Sequence, residues 1–502
     1  MAAPEISVPN KNILVTDQTY LGRTVEPFEI GTGYVNNRYD GYLAVDPKNP
    51  NHMVGICRRF YGPGEKYQDV LEAQHTWDGG KSWQTSTLPL PRSIYSISDP
   101  WIGIAPKSIM QGPNPLSGGN DLVYVIGLAV QPGKTGEQFQ GVGVYFYWSA
   151  DSGRTWPEPS IITFGIWCDQ TFGAIDLNSG RLYAIWYDGS LALAYSEDGG
   201  HNWFAPSSAK NQPNQYSPFD LGRPEFHLIN MAVGPDGVVH IIGMDEQNPP
   251  TVWYARSKDG GNTFEYGQIA TAQKGSGNIG IIFPPTAGNP SPPSLAVASP
   301  PTIFAGEKGT VFAAWSVDVG STPSNPKPMM RICVASCTDG GNTWINNLAN
   351  GSAPESVPLL PLGDLPDTPN DHYFRPRLSE GPHGSIGCLF TGCGLVGNKQ
   401  LLPAEFITCL SVSWLEYKNI FGAVVKGFNP QSTVTVAVSD RPTNPLSTNP
   451  VLRWSLPNAY FVGDFLGLVA STLGFFPYWS DTRLGSAQLV TTQITVAPQS
   501  PQ

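Results

Sequence analysis

The sequence Thr76-Trp77-Asp78-Gly79-Gly80-Lys81-Ser82-Trp83 decides the fold, because four close copies of it follow along the chain. The copies, all near the pattern S-x-D-x-G-x-T-W, lie at 149–156, 196–203, 257–264 and 337–344. Their unequal spacing fits radially arranged blades with loops of varying length better than a stacked solenoid. The chain of 502 residues is therefore read as one large repetitive domain, 1–502.

The local chemistry of this octapeptide, called a box below, is typical of a β-hairpin. A run rich in aromatic and β-branched residues precedes it, as in Val252-Trp253-Tyr254-Ala255-Arg256. The Asp can accept hydrogen bonds from backbone N–H groups of the turn, the Gly takes a positive φ, and the last aromatic begins the return strand. The box carboxylates are therefore predicted to be structural and not catalytic.

A second repeated element predicts the strands upstream of each box. It consists of an inner strand of small and apolar residues, a turn, and an aromatic strand that ends at an Asp. Seven copies begin at Gly41, Trp101, Phe172, Ile229, Ser294, Arg377 and Gly463. The prediction is an all-β fold, a β-propeller of seven four-stranded blades with six as the alternative. Residues 12–16 are expected to supply a strand that the seventh unit lacks, which closes the ring.

The composition supports this fold class and excludes others. The chain has 55 Gly and 48 Pro but only 14% charged residues, against the long Gly- and Pro-poor segments of helical bundles, coiled coils and doubly wound α/β enzymes. A hydrophobic content of 40% argues against disorder. The net charge of −11 disfavours nucleic acid and anionic membranes. We expect a monomer with neither kind of partner.

The cysteines and the start of the chain bear on location and cofactors. The seven cysteines lack CxxC pairs, so a zinc site is not expected and buried thiols are. If the protein is secreted, one disulfide could form among Cys388, Cys393 and Cys409, with the pair left open. Residues 1–5 show no secretion signal, which was removed or never existed. No cofactor or metal motif is present, and a structural calcium ion stays open.

The five boxes resemble Asp-boxes, also called BNR repeats, and the first unit resembles the opening of the sialidase-like β-propeller family. The resemblance rests on Arg38 in the first inner strand, the Arg-rich strand Cys57-Arg58-Arg59, the acidic loop 62–69 and the first box. The family's R-I-P is replaced here by Arg38-Tyr39-Asp40. The resemblance implies a secreted exo-glycoside hydrolase that removes a terminal acidic or acid-linked sugar from a glycan.

The resemblance also implies roles for particular residues. Three arginines would hold a substrate carboxylate, and a Tyr paired with a Glu would be the nucleophile, a known exception to the use of two carboxylates. The candidates for substrate binding are Arg38, Arg223, Arg375 and Arg377. Tyr460 is the predicted nucleophile, Glu225 its base, and Asp69 or Glu65 the acid/base. Guanidinium groups bind carboxylates in a bidentate way, which is the physical reason to want arginines there.

Two alternatives use the same part of the chain. A polysaccharide lyase acting beside a uronate needs cations to neutralise the carboxylate and a His or Tyr as base and acid. His227, His372 and Tyr373, close in sequence to the candidate arginines, supply those side chains. A propeller that only binds glycans would use exposed aromatic rings such as Trp101 to stack on sugars.

Overall fold

The computed structural model describes most of the chain outside its longest loops. The described residues are 3–16, 19–20, 23–24, 34–63, 68–105, 121–132, 139–205, 227–245, 251–271, 278–282, 294–306, 309–318, 330–345, 372–393, 395–396, 399–400, 406–418, 424–426, 433–443, 459–460, 463–484 and 486–498. Among them, no helix has the length and hydrophobicity needed to cross a bilayer. Outside the sheets of the ring, the described residues also form the short 3₁₀ turn Pro382–Gly384, the pair Ile6–Ser7 with Thr495–Val496, and three hairpins: Thr19–Tyr20 with Arg23–Thr24, Leu395–Val396 with Lys399–Gln400, and Glu416–Lys418 with Val424–Lys426.

Seven antiparallel sheets form the blades of a β-propeller, so the prediction of seven blades is confirmed and the six-bladed alternative is wrong. From the innermost strand outward, blade 1 is Tyr34–Val45, Met53–Pro63, Gln68–Thr76 and Gln84–Thr87, and blade 2 is Ser96–Ala105, Leu122–Pro132, Phe139–Ser149 and Ser160–Phe164. Blade 3 is Asp169–Ile175, Leu182–Tyr187 and Leu191–Ser196, with the backbone pairing of Tyr195 and Phe204 in its outermost position.

The remaining blades follow the same order from the centre outward. Blade 4 is His227–Val233, Val239–Met244, Thr251–Ser257 and Glu265–Thr271, and blade 5 is Thr302–Ala305, Val311–Asp318, Met330–Cys337 and Trp344–Ile345. Blade 6 is His372–Glu380, Ser385–Cys393, Phe406–Trp414 and Val434–Ala437. Blade 7 is Gly467–Ser471, Gly474–Asp481, Gln488–Thr491 and the N-terminal strand Ile13–Leu14.

The innermost strands of successive blades are neighbours, and that of blade 7 lies against that of blade 1, so the sheets form a ring. The N-terminal strand pairs antiparallel with Gln488–Thr491, and Val15 N donates a hydrogen bond to Leu489 O at 2.9 Å. The end of the ring at which the innermost strands begin is called the upper face below. Because every innermost strand starts there, residues far apart in sequence meet around one axis.

Blade 5 differs from the sequence-based expectation. The expected innermost strand at Ser294–Val297 belongs instead to a separate three-stranded sheet of Asn278–Ile282, Ser294–Ala298 and Ala459–Tyr460. Thr302–Ala305 takes the innermost position because a short turn, closed by a hydrogen bond of 2.8 Å from Gly306 N to Thr310 O, joins it to the second strand.

The boxes are the turns between the third and fourth strands of blades 1 to 5, as the sequence predicts. In the first box, Asp78 Oδ1 accepts hydrogen bonds from Lys81 N and Ser82 N at 2.9 and 3.0 Å. Partial burial opposes ionisation of Asp78, but these hydrogen bonds and those from the Ser82 and Thr76 hydroxyls lower its pKa to about 2. Gly79 and Gly80 have φ of 73° and 85°, which favours glycine. The carboxylate is therefore fully used by the turn.

Each box also packs against the blade before it. The last glycine of each box packs against a side chain of the preceding blade. The pairs are Gly80 with Phe476 of blade 7, Gly153 with Val54 of blade 1, Gly200 with Phe146 of blade 2, Gly261 with Tyr183 of blade 3, and Gly341 with Tyr254 of blade 4. Polar contacts repeat the pattern, since Ser86 Oγ of blade 1 donates to Gly153 O at 2.6 Å. The repeated turn thus joins neighbouring blades as well as neighbouring strands.

Apolar side chains fill the space between the blades, and Trp186, Trp203, Trp315 and Trp479 are fully buried there. Cys388 and Cys409 are buried free thiols. Any disulfide among Cys388, Cys393 and Cys409 would need one of these two, so that prediction is wrong. Both lie within strands of blade 6 whose side chains pack into the core, as buried thiols commonly do.

Candidate functional site

Five innermost strands bulge near the upper face, at equivalent positions. In each, two residues stand opposite one residue of the second strand, and the first of the two has a positive φ. These residues are Asp40, Asp99, Gln170, Leu228 and Arg375, with φ between 45° and 57°. Such a conformation costs a non-glycine residue about 1–3 kcal/mol, and bulges often re-aim side chains at active sites. Five strained positions around one axis locate the candidate site.

Arg58 is the central cation of this site. It comes from the second strand of blade 1, and its Nε and Nη2 donate to Asp69 Oδ2 at 3.0 and 2.7 Å. Its Nη1 lies 3.7 Å from Asp40 Oδ2. Asp40 Oδ1 accepts a hydrogen bond of 2.6 Å from Asp464 N, at the start of blade 7. Arg58 therefore connects two carboxylates of blade 1, and one of them, Asp40, also contacts blade 7 where the ring closes.

Each of these two carboxylates keeps an oxygen without a hydrogen bond from the described residues. The two atoms are Asp69 Oδ1 and Asp40 Oδ2, and both residues are at most 1% exposed. A buried acceptor without a donor costs about 1–3 kcal/mol, and a ligand group that donates a hydrogen bond would supply the missing partner.

Burial changes the protonation of the acids around the axis. Desolvation raises the pKa of Asp69 to about 6, although Arg58 opposes the shift. Desolvation and the nearby carboxylate of Asp169 raise the pKa of Asp99 to about 7, again against Arg58. Burial likewise raises the pKa of Asp40 and of Asp169. Carboxyl groups at this site can therefore hold protons near neutral pH, as a proton donor must.

The floor of the site is aromatic and holds Arg377. The guanidinium carbon of Arg377, on blade 6, lies 5.0 Å from the ring centre of Tyr42 on blade 1 and 5.3 Å from that of Phe172 on blade 3. Tyr42 and Phe172 contact each other edge to face at 5.6 Å. A cavity here is lined by residues from around the ring, namely Tyr42, Asn230, Pro300, Pro301, Arg375, Pro376, Arg377, Asp464, Phe465 and Leu466. The side chains of opposite blades therefore meet at the axis.

Arg375 lies beside this cavity and is 7% exposed. Its Nη2 donates to Thr391 Oγ1 at 2.8 Å, and its Nη1 donates to Gly463 O. Burial lowers the pKa of Arg375 to about 10, while Asp464 and Asp40 act in the opposite direction. It stays a cation at neutral pH, and the carboxyl groups of Asp464 and Asp40 are close enough to stabilise its charge.

Several predicted site residues lie at this position. Asp69, Arg375 and Arg377 belong to the connected group just described. His227 begins blade 4 at the upper face, with its Nε2 at 3.4 Å from Gln170 Nε2. Trp101 is only 8% exposed on the innermost strand of blade 2, with its ring centre 6.4 Å from that of Phe172, so the expectation of an exposed ring that stacks on sugars is wrong for this residue. The structure thus brings residues of blades 1, 2, 4 and 6 together.

Three other predicted residues have different surroundings. The guanidinium of Arg38, 2% exposed, donates to both carboxylate oxygens of Glu72 and to Gln488 Oε1 at 2.7 Å. Tyr373 is fully buried in the core, with Arg331 at 5.0 Å over its ring. His372 Nδ1 accepts a hydrogen bond of 3.4 Å from Met330 N.

Of the remaining predicted site residues, the structure describes only the backbone of Tyr460. Tyr460 ends a short strand whose backbone pairs in parallel with Leu295. Glu225, Arg223 and Glu65 lie outside the described residues. Their roles stay predictions. Among the part of the chain that the structure describes, no set of three or more His, Cys, Asp or Glu side chains is placed to hold a metal ion.

Sequence reasoning missed four acids and undervalued Arg58. Asp40, Asp99, Asp169 and Asp464 were not among its candidates. A signal was available for two of them, because Asp40-Gly41 and Asp99-Pro100 are turn dipeptides placed inside strands, which indicates a bulge.

No family model matches the chain, and no curated protein matches it. Solved structures resemble it at low identity. A Dyadobacter fermentans protein of unknown function is 14% identical, covering 82% of this chain and 99% of that one with a TM-score of 0.44. The Trypanosoma rangeli sialidase in complex with sialic acid is 13% identical, and the match covers 98% of this chain and 59% of that one with a TM-score of 0.41. The NanB sialidase of Streptococcus pneumoniae is 12% identical, and the match covers 73% of this chain and 68% of that one with a TM-score of 0.40. Similarity at this level concerns the propeller fold alone.

Proposed function

We propose that this chain is a glycoside hydrolase that removes a terminal acidic sugar from a glycan at the upper face of the propeller. The observation that carries the proposal is Asp69, a buried carboxyl group with one oxygen fixed by Arg58 and the other without a donor among the described residues. A glycosidic oxygen must receive a proton as its bond breaks, and a carboxyl group with a raised pKa is suited to give it.

The raised pKa of Asp69, about 6, supports its proposed role as the proton donor. At pH 5 to 6, half or more of Asp69 is protonated, whereas an ordinary Asp is almost fully ionised. Arg58 keeps the carboxyl group in one orientation through its two hydrogen bonds to Oδ2. The partner-free Oδ1 is then the oxygen that carries the proton toward the leaving group. Asp99, with a pKa of about 7, is a second acid in the same place.

The charges around the axis also fit an acidic sugar below neutral pH. When Asp69 and Asp99 are protonated, the cations Arg58 and Arg375 are less compensated, and Arg375 borders the cavity. Guanidinium groups in such a site bind carboxylates strongly. We propose Arg375 as a carboxylate-binding residue, with Arg377 beside it, and keep Tyr460 as nucleophile and Glu225 as its base, as the resemblance implies. An extracellular location follows from glycan substrates of this kind.

The experiment incubates the protein with sialosides, with uronate-containing glycans and with neutral glycans at pH 5.5. Release of a terminal acidic sugar that falls by a factor of about 10² to 10⁴ in Asp69→Asn supports the proposal. Asp236→Asn, a change of the same kind at an exposed turn, is the matched control and should keep full activity. Arg375→Ala should abolish turnover of acidic glycans, with exposed Arg92→Ala as its control.

Other outcomes favour the alternatives. New ultraviolet absorbance from an unsaturated uronate would replace hydrolysis by a lyase reaction, in which His227 is the first residue to substitute. Binding of acidic glycans without any turnover would leave a glycan-binding propeller. Release of a neutral sugar only would refute the acidic specificity.

A further inference from the structure

Exposed apolar side chains occur where the chain passes from the outermost strand of blade 2 to the innermost strand of blade 3. Among the described residues, Ile161 and Phe164, 48% and 54% exposed, belong to the outermost strand, whereas Trp167, 43% exposed, comes two residues before Asp169 at the start of the innermost strand. Trp167 is therefore the exposed apolar side chain of this segment that is nearest in sequence to the buried acids, and exposed apolar surface next to polar groups often marks a binding site.

Trp167 is held in place from behind. Its ring meets that of Tyr187 edge to face at 5.6 Å, and Tyr187 in turn contacts the ring of His227 at 4.8 Å. The backbone on both sides is fixed, because Gly165 N donates to Val142 O at 2.9 Å and Cys168 N donates to Gly141 O at 3.3 Å. One side of an ordered ring is therefore covered by protein while much of the rest faces solvent.

Polar groups suited to hydroxyl recognition follow Trp167 closely in sequence and contact the rings behind it. Gln170, at one of the strained bulge positions, contacts His227 through its amide nitrogen, and its Oε1 is buried without a hydrogen bond. Asp169 is half-buried beside it. An aromatic face bordered by amide, imidazole and carboxylate groups has the chemistry of a sugar-binding site, since a pyranose has one apolar face and a rim of hydroxyls.

The order of the blades gives this surface a direction. Arg375 is on blade 6, Asp69 is on blade 1, and Asp69 N donates to Ser96 Oγ on blade 2 at 3.0 Å. Trp167 leads into blade 3. Counted from blade 6 through blades 7, 1 and 2 to blade 3, the blade of the proton donor comes between those of the proposed carboxylate-binding arginine and of the aromatic surface. Acidic sugar, scissile oxygen and leaving group follow one another in the same order in a substrate.

We propose that Trp167, backed by Tyr187 and His227 and bordered by Gln170, is a subsite that stacks on the sugar ring of the leaving group. The assignment of this subsite to the leaving group rests on the proposed function. It names the part of the substrate that the protein would bind in addition to the terminal acidic sugar. Substrates with a sugar as leaving group then bind better than the acidic monosaccharide alone.

The test measures binding of 3′-sialyllactose, free sialic acid and lactose, with Asp69→Asn as the background so that no ligand is consumed. We expect the trisaccharide to bind more tightly than sialic acid, and Trp167→Ala to remove about a tenfold advantage while Trp167→Phe keeps part of it. Trp77→Ala, at a tryptophan of the first box with nearly the same exposure, is the matched control. When Trp167→Ala is made in the otherwise wild-type protein, hydrolysis of 3′-sialyllactose should show a higher KM with little change in kcat.

The outcomes separate the two proposals. Equal binding of 3′-sialyllactose by the Trp167→Ala and parent proteins, or no advantage of the trisaccharide, overturns the subsite even if the enzyme hydrolyses sialosides. Trp167-dependent binding without turnover in the wild-type protein overturns the hydrolase and retains the subsite. Failure of all three ligands to bind overturns both.

Discussion

The buried carboxyl group of Asp69 should stabilise the folded protein more in mild acid than in mild base, while His240, His52 and His75, whose pKa values burial lowers, act in the opposite direction. Asp69 is 1% exposed, and its pKa is raised from 3.8 to about 6. A raised carboxyl pKa means that the folded state binds a proton more tightly than the unfolded chain does between these two values. The free energy of unfolding therefore increases as the pH falls through 6, and the gain is complete below 3.8.

The size of the effect follows from the same two values. Between pH 8 and pH 5, Asp69 alone adds about 1 kcal/mol to the free energy of unfolding, out of about 3 kcal/mol for the full shift. Asp99 acts in the same direction, because its pKa is also raised. Asp69→Asn removes the titrating group and leaves an amide of nearly the same shape beside Arg58.

The assay is urea unfolding of the wild-type protein, Asp69→Asn and the control Asp236→Asn at pH 5 and pH 8. The change in stability from pH 8 to pH 5 should be less favourable in Asp69→Asn than in the wild-type protein by about 1 kcal/mol, and the control should change as the wild-type protein does. A larger gain in Asp69→Asn, or the same gain in all three proteins, would refute the assignment of a raised pKa to this residue, and with it the argument for Asp69 as proton donor.

Four further results are expected. Cys337→Ser should keep or raise the melting temperature, because Cys337 Sγ accepts from Gly341 N at 2.8 Å where other boxes use a hydroxyl, whereas Cys337→Ala should cost about 1–2 kcal/mol in urea unfolding. Gly341→Ala should destabilise by about 2 kcal/mol or more, since its Cβ would lie 2.0 Å from Tyr254 Oη at a φ of 93°; unchanged stability would contradict the packing. Removing residues 1–16 should lower the melting temperature and promote association by exposing the edge of Gln488–Thr491. If Asp69 is the proton donor, kcat/KM should fall as the pH rises above about 6, and a flat profile to pH 8 would contradict it.

The fold was predictable because its signal is local and repeated. A box such as Asp78-Gly79-Gly80 specifies a turn through its own side chains and its own φ values, so five boxes place five hairpins without knowledge of the rest. Blade 5 shows where this reasoning ends. The run Ser294–Val297 has the pattern of an innermost strand, but the choice between it and Thr302–Ala305 depends on which one a short turn brings to the second strand.

The site was less predictable because its chemistry depends on contacts between distant residues. Arg38 and Arg58 are equivalent in type, but Glu72 neutralises Arg38 deep in blade 1 while Asp69 and Asp40 hold Arg58 at the axis. The position of Asp40 follows from a bulge, and its contact with Asp464 follows from the closure of the ring. No pattern along the sequence contains that information.

The boxes have a consequence for how the ring comes apart. The turn of blade 5 receives Arg256 and Tyr254 from blade 4, and each earlier boxed blade is likewise held by the one before it. The sequence contains no box in blades 6 and 7, and the outer parts of these two blades are joined instead by Arg483, Asp440 and the N-terminal Asn12. Because the box of blade 1 packs on Phe476 of blade 7, blade 6 is the blade that no box joins to either neighbour, and unfolding should begin there. In hydrogen exchange, the amides of Phe406–Trp414 should lose protection before those of Leu191–Ser196.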